Sequence, residues 1–144
     1  MLKKKLTKEL EQIDKRWNKL IFVCSDKRTD ISLPISDYEE LNINFIISEG
    51  LLEVPKEKYS FNVLNIIHNK LKSYETIYFL NYIDILFDPV LKINPVRLFE
   101  NLSKENKIIV NWPGSYNNGN LIYANFGHPE YYICDDYEGK IIEI

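Results

Sequence analysis

The stretch that decides the fold spans residues 76–112, TIYFLNYIDILFDPVLKINPVRLFENLSKENKIIVNW. It opens with an apolar run at 76–81 and closes with another at 107–112, and each run carries an asparagine at or near its end. Between them, Asn94-Pro95 is typical of a helix start, with Asn as the N-cap and Pro at the first helical position. The predicted helix has three apolar residues on its inner face, Val96, Phe99 and Leu102. A strand, a helix and a strand in this order indicate a parallel β-α-β unit.

Upstream of this unit, the continuous apolar run at 20–25 (LIFVCS) predicts a central parallel strand that is buried on both faces. The run at 44–48 (NFIIS) is interpreted as the next strand. The connection between the two is short and interrupted by Pro34, which leaves about two helical turns at 36–41 with Ser36 as N-cap. A further helix begins at Ser60 and has four apolar residues at helical spacing, Phe61, Leu64, Ile67 and Leu71. His68 is expected on this helix as a partly exposed residue.

Downstream, Pro113-Gly114 ends the strand at 107–112, and Asn118-Gly119 is a strong hairpin signal. Residues 121–126 and 131–134 are predicted as antiparallel additions, followed by a short last strand at 140–144. The fold class is therefore α/β: a mostly parallel sheet flanked by helices, with antiparallel edge strands near the C-terminus.

The first 18 residues predict an amphipathic helix with five apolar residues at steps of three or four, Leu2, Leu6, Leu10, Ile13 and Trp17. We expect one domain over 1–144, in which this helix (1–18) precedes an α/β core (20–144). Packing of the apolar stripe on its own domain is favoured over packing on a partner. A homo-oligomer stays open.

The composition limits the class of protein. Apolar residues make up 45% of the chain, which predicts a folded domain. The sequence has no 18-residue apolar run and no apolar signal-peptide segment, so we expect a cytoplasmic protein without a membrane span. The net charge of −3 argues against direct nucleic-acid contact. Cys24 and Cys134 are interpreted as buried free thiols, and the two histidines are too few for a His-rich metal site.

A phosphate-binding loop is missing where the topology would place it. A P-loop needs G-x-x-x-x-G-K-[ST], because the glycines let backbone N–H groups surround the phosphates. The first strand instead continues into SDKRTDIS at 25–32, which has no glycine. This segment offers Lys27, Arg28 and Thr29 as vestigial nucleotide-binding residues, but Asp26 and Asp30 would repel a triphosphate. A solvated turn is the favoured interpretation.

The acidic half of such a site is also altered. A Walker-B strand ends in an acid that holds the water shell of Mg²⁺, and a second acid polarises the attacking water. Here Asn81 stands at the strand end and Asp84 follows it. Asn111, near the end of the strand at 107–112, would lie where a polar sensor contacts the γ-phosphate. For Asn81, Asp84 and Asn111 the plain alternative is an ordinary polar residue at a strand end. For Asp84 and Asp88 a further alternative is a surface acid.

Other candidate chemistry is weaker. His128 and Glu130 form a titratable pair within GHPE, which is interpreted as a rigid turn. Ser25 and Ser115 have no recognisable base partner, so nucleophilic catalysis lacks support. We therefore assign no catalytic residue and no metal ligand.

Five segments resemble the BrxF family, the small P-loop-containing proteins of type-3 bacteriophage exclusion (BREX) systems. They occur in order between about residue 20 and about residue 135: IDILFDP at 83–89, NPVRLFEN at 94–101, NWPG at 111–114, LIYA at 121–124 and GHPEY at 127–131. The resemblance implies an AAA-like or RecA-like sheet, a role in defence against infecting DNA, and other defence-system proteins as partners.

The chain departs from that family at both Walker motifs, because SDKRTDIS replaces the phosphate loop and Asn81 replaces the acid, while Asp84 is retained. The favoured hypothesis is a degenerate P-loop domain that acts as a non-catalytic interaction or regulatory module and has no cofactor. Its expected docking surfaces are the N-terminal helix and the aromatic-rich region at 113–130. The alternative is an NTP-binding, ATPase-like subunit that binds Mg-ATP at an atypical phosphate site with Lys27 or Arg28. DNA contact through Lys3–Lys8 is a weaker third hypothesis.

Overall fold

A parallel sheet forms the centre of the molecule. The structure, a computed structural model, describes residues 1–25 and 31–144. Within these residues five strands pair in the order β2-β3-β4-β1-β8, and every pairing is parallel. The strands are β1 (Leu20–Cys24), β2 (Glu39–Asn42), β3 (Ile77–Asn81), β4 (Lys107–Trp112) and β8 (Lys140–Glu143). The predicted α/β class with a mostly parallel sheet is thus confirmed.

Helices cover the two faces of the sheet unequally. The first face packs against α1 (Leu2–Gln12), the 3₁₀ turn Ile13–Lys15 and apolar residues of the segment 31–38. The second face packs against α2 (Ile43–Gly50), α3 (Tyr59–His68) and α4 (Pro95–Leu102). The side chains of β1 point alternately into the two cores: Ile21 and Val23 belong to the core on the first face, and Phe22 belongs to the core on the second face.

A small antiparallel sheet also packs on the second face. Its strands are β5 (Ser115–Asn117), β6 (Asn120–Tyr123) and β7 (Tyr132–Cys134), paired in that order. The β5-β6 turn places Asn118 at φ 51° and Gly119 at φ 81°, as a type I′ hairpin turn requires, which confirms this prediction. We call residues 113–139, which contain this sheet, the antiparallel lobe.

The antiparallel strands do not extend the main sheet, so the prediction of antiparallel edge strands is wrong in this respect. They form a separate sheet, and the strand after them, β8, returns to the main sheet and pairs in parallel with β1. The return is possible because the lobe lies on one face of the sheet and leaves the edge beside β1 free for β8.

The interpretation of residues 36–48 is also wrong. Residues 39–41, predicted as part of a helix at 36–41, belong to the edge strand β2 (Glu39–Asn42), and the apolar run 44–48 lies within helix α2. An edge strand needs few apolar residues, and in β2 only Leu41 is buried. In α2 the buried residues are Ile43 and Ile47, four positions apart as a helix face requires.

The amphipathic N-terminal helix exists and packs on its own domain. Leu6 and Ile13 are fully buried in the first core, and Leu2 and Leu10 are partly buried against it. Trp17 departs from the predicted stripe, since it is 81% exposed. The helix ends at Gln12 and the 3₁₀ turn at Lys15, so Trp17 is no longer in helical register with the residues before it.

The two later helices largely follow their predictions. Asn94 caps α4, its side chain accepting a hydrogen bond from the Arg97 backbone N–H, and Val96, Phe99 and Leu102 are buried as expected. Helix α3 begins at Tyr59, and its buried residues are Val63 and Ile67, whereas Phe61 is 77% exposed. His68 lies exposed at the end of α3.

Candidate functional site

Three asparagines form a row at the carboxyl ends of neighbouring parallel strands. Asn42 at the end of β2 is the register partner of Asn81 at the end of β3. Asn111 lies one residue before the end of β4, beside Val23 of β1. Side chains alternate across a sheet, and Leu80 and Val110 belong to the second core, so Asn81 and Asn111 both point toward the α1 face. Carboxyl ends of strands are where α/β sheets bind ligands.

The Asn81 carboxamide oxygen accepts two hydrogen bonds from within the protein. One comes from the Asn111 side-chain Nδ2 at 2.9 Å, and the other from the Tyr82 backbone N–H at 3.1 Å. Asn81 is only 4% exposed. A carbonyl oxygen has two lone pairs, so this acceptor is filled by the protein itself.

The backbone next to Asn81 is held in an unusual conformation. Tyr82 has φ 52°, in the left-handed region that non-glycine residues rarely adopt. Its N–H donates to Asn81 Oδ1, and its carbonyl accepts from the Asn44 N–H at 2.8 Å. The Asn44 side chain in turn accepts from the Ile85 N–H at 2.8 Å. These hydrogen bonds connect the start of α2 to the turn after β3 and so fix the backbone around the row of asparagines.

The two predicted acids after β3 occupy different positions. Asp84 is half-buried and begins the 3₁₀ turn Asp84–Phe87, three residues beyond Asn81. Asp88 caps the next 3₁₀ turn, since its Oδ1 accepts from the Val90 N–H at 3.0 Å. Asp88 therefore has a structural role, and Asp84 remains the acid nearest in sequence to Asn81.

The residues predicted to replace the phosphate loop, Lys27, Arg28 and Thr29, lie outside the residues that the structure describes. At the end of β1 the surface has a depression of about 280 Å³ lined by Cys24, Ser25, Tyr116, Glu143 and Ile144. The described part of this lining contributes the Glu143 carboxylate.

The Cys24 thiol beside this depression is held in its protonated form. Burial, with a smaller contribution from the Glu143 carboxylate, raises the pKa of Cys24 to about 12. Because a thiolate is the nucleophilic form, this cysteine stays protonated at neutral pH. Both cysteines are free and buried, as predicted.

The remaining candidate groups are structural or separate from one another. Across residues 1–25 and 31–144, no cluster of three or more His, Cys, Asp and Glu side chains could hold a metal ion. His128 Nδ1 accepts a hydrogen bond from the Glu130 backbone N–H at 3.0 Å, which fits the rigid turn predicted for GHPE.

The segments that carry the family resemblance build the fold. Asp88 and Asn94 cap a 3₁₀ turn and α4. Trp112 Nε1 donates to the Ile122 carbonyl at 3.0 Å, and a Cβ on Gly114 would lie 1.8 Å from that same oxygen. Only glycine allows so close an approach between the end of β4 and the hairpin. These residue types at these spacings therefore serve capping and packing.

Most of the aromatic residues expected at a docking surface belong to the core instead. Phe87 stacks on Tyr123 with ring centroids 3.9 Å apart, and it meets Trp112 and Tyr132 edge-on at 5.5 Å each. The stripe of α1 is likewise used internally. In the lobe the exposed apolar residues are Phe126 (89%) and Ile133 (49%).

Sequence reasoning missed Asn42 and Asn44, which complete the polar edge of the sheet. Asn42 caps α2, its side chain accepting from the Phe45 N–H at 3.0 Å, and Asn44 supports the turn after β3. The pattern N-x-N directly before an apolar run could have identified them, because asparagine is a strong N-cap.

Comparison of the chain with protein-family models, with curated proteins and with solved structures gave no match. Among the described residues, no helix has the length and apolar character needed to cross a membrane. The site must therefore be interpreted from its own geometry.

Proposed function

We propose that this chain is a degenerate P-loop-like domain that acts as a non-catalytic interaction or regulatory module of a BREX-like anti-phage defence system. The observation that carries the proposal is the filled acceptor of Asn81. At the position where hydrolysis needs a carboxylate, the side chain is neutral and its oxygen already accepts from Asn111 and Tyr82.

The chemical consequence concerns magnesium. A Walker-B carboxylate binds the water shell of Mg²⁺ through its charge and its free lone pairs. Asn81 offers neither, and recruiting it would require breaking a hydrogen bond in a nearly dry environment. Such a bond contributes about 0.5–1.5 kcal/mol net and costs more when a buried donor is left unsatisfied.

The strand order supports an AAA-like or RecA-like architecture for the sheet. Strand β4 lies between β1, which precedes the expected phosphate loop, and β3, which precedes the expected acid. This arrangement brings Asn111 next to Asn81, as the expected polar sensor would lie next to the acid. A sheet that has this strand order but lacks the side chains that bind phosphate and magnesium suits a cytoplasmic module that binds other defence-system proteins.

A second candidate function is an NTP-binding regulatory subunit. The half-buried Asp84, which keeps its place after β3, favours it. In that case Lys27 or Arg28 supplies the charge that a P-loop lysine normally supplies, and the nucleotide is bound without turnover.

Isothermal titration calorimetry with Mg-ATP and Mg-GTP separates the two functions. If the chain is a non-catalytic module, we expect neither the wild type nor Lys27→Ala to give binding heat with either nucleotide. Micromolar binding that Lys27→Ala abolishes, while the matched exposed variant Lys70→Ala retains it, would overturn the proposal.

The defence role is tested in the native host by deleting the gene and measuring the plating efficiency of phages. We expect plaques to increase on deletion and to fall again when either the wild type or Lys27→Ala is supplied. An unchanged plating efficiency for every phage that the intact system restricts contradicts the defence assignment and leaves the calorimetric result standing.

A further inference from the structure

The antiparallel lobe carries an acidic surface with an apolar centre. Residues 113–139 contain four carboxylates, Glu130, Asp135, Asp136 and Glu138, and no lysine or arginine. Asp136 lies 3.7 Å from Arg97 of α4, so part of its charge is balanced. The lobe nevertheless contributes four negative charges to a chain whose total charge is only −3.

The apolar centre lies on the outward face of the small sheet. Ile133 is the register partner of Ile122, and both point away from the core side chains Leu121 and Cys134. Phe126, in the turn before β7, is a second exposed apolar residue of the lobe, its ring 5.5 Å from Tyr131 in an edge-on contact. Tyr131 directly precedes β7, and the exposed Asp135 directly follows the strand's last residue, Cys134.

Helix α1 carries the complementary chemistry on its exposed face. Residues 1–8 contain four lysines, Lys3, Lys4, Lys5 and Lys8, and no acid. All four lysines are exposed, and Met1 beside them is 89% exposed. An apolar side chain among lysines is complementary to a lobe that exposes apolar side chains and carboxylates.

The two surfaces lie on opposite sides of the molecule. Leu6 of α1 packs on the first face of the main sheet, whereas Leu121 and Cys134 of the lobe pack on the second. One chain therefore cannot bring them together within itself, and one neighbour cannot satisfy both at once. Surfaces that match but face away from each other produce head-to-tail association.

We propose that the lobe of one copy binds helix α1 of a second copy, through lysine–carboxylate pairs around Phe126 and Ile133. The contact is heterologous, so association continues beyond two copies into an open chain or a ring. It does not depend on the proposed function, because no nucleotide and no other protein takes part.

Sedimentation velocity over a concentration series tests the contact. At about 0.01 M salt, where the screening length is about 30 Å, the wild type should form species larger than dimers, and at about 1 M salt, where it is about 3 Å, it should be monomeric. The helix variant K3E/K4E/K8E and the lobe variant F126S/I133S should each stay monomeric at low salt. Circular dichroism and thermal melting check that both are folded.

Mixing the two variants is the decisive experiment. The helix variant keeps an intact lobe and the lobe variant keeps an intact α1, so together they should form a dimer and nothing larger. The matched control K56E/K58E/K70E reverses three exposed lysines elsewhere and should associate like the wild type. A wild type that is monomeric at low salt, one that stops at a dimer, or a mixture of folded variants that stays monomeric would each overturn the proposal.

Discussion

The contribution of the hydrogen bond between Asn111 and Asn81 to stability can be measured by mutagenesis, and the proposed function depends on this bond. In Asn111→Ala the Asn81 oxygen keeps the Tyr82 N–H and loses one donor, the Nδ2 at 2.9 Å. We expect unfolding free energy to fall by about 1 kcal/mol. Asn81→Ala removes the shared acceptor of both donors, so we expect a loss of about 2–3 kcal/mol.

The double variant separates the pair from its surroundings. Once Asn81 is absent, the Asn111 side chain has lost this acceptor, so adding Asn111→Ala should cost little more. The double-mutant cycle should therefore give a coupling energy of about 1 kcal/mol, within the usual range for residues in contact. For a chain of this length, 1 kcal/mol corresponds to a shift in Tm of about 2–4 °C.

Urea unfolding followed by tryptophan fluorescence is a suitable assay. Trp112, at 3% exposure, should shift to the red on unfolding, while Trp17, at 81% exposure, should change little. Asn117→Ala, on an exposed position of β5, is the matched control and should change stability by less than about 0.5 kcal/mol. Additive losses, with a coupling below about 0.3 kcal/mol, would mean that Asn111 does not donate to the Asn81 oxygen, and the statement that this acceptor is filled would fail.

Three further predictions concern stability. Leu6→Ala should lower the free energy of unfolding in urea by about 3 kcal/mol, because it opens a cavity under α1. Thr7→Ala, on the exposed face, should change this free energy little. Equal effects of the two substitutions would contradict the docked helix. Gly114→Ala should prevent native folding or lower Tm sharply, since its Cβ would lie 1.8 Å from the Ile122 carbonyl oxygen; a normal melting curve contradicts this packing. Burial raises the pKa of Cys24 from 9.0 to about 12, so its stabilising contribution is complete below pH 9 and is lost as the pH rises toward 12. Cys24→Ala should therefore flatten the stability–pH curve above pH 9 in urea titrations, and a curve of unchanged slope would refute the shift.

The elements that sequence alone predicted are those with a complete local signal. Strands β1, β3 and β4 are nearly continuous apolar runs, because a central parallel strand is buried on both faces. Asn94-Pro95 predicts the start of helix α4, and Asn118-Gly119 predicts the β5-β6 hairpin. In each case a few adjacent residues contain the whole physical reason for the structure.

The errors arose where the local signal was ambiguous. Strand β2 is an edge strand with one buried side chain, so it has no apolar run, and its short neighbour 44–48 suits a strand or a helix equally well. Strand β8 has no sequence mark that distinguishes pairing with β1 from pairing with the hairpins. Both outcomes depend on which partner edge is free, and that depends on residues far away in the chain.

The candidate site shows the same division. Sequence by itself established that residues 25–32 contain no glycine and that Asn81, not an acid, ends the apolar run at 76–81, because these are statements about residue types. Only the tertiary structure decided that Asn81 is bonded to Asn111, 30 residues later, and that the aromatic residues after Trp112 are mostly core. The physical reason is that hydrogen bonds and burial are properties of neighbours in space, and the parallel sheet brings those neighbours together only when the chain is folded.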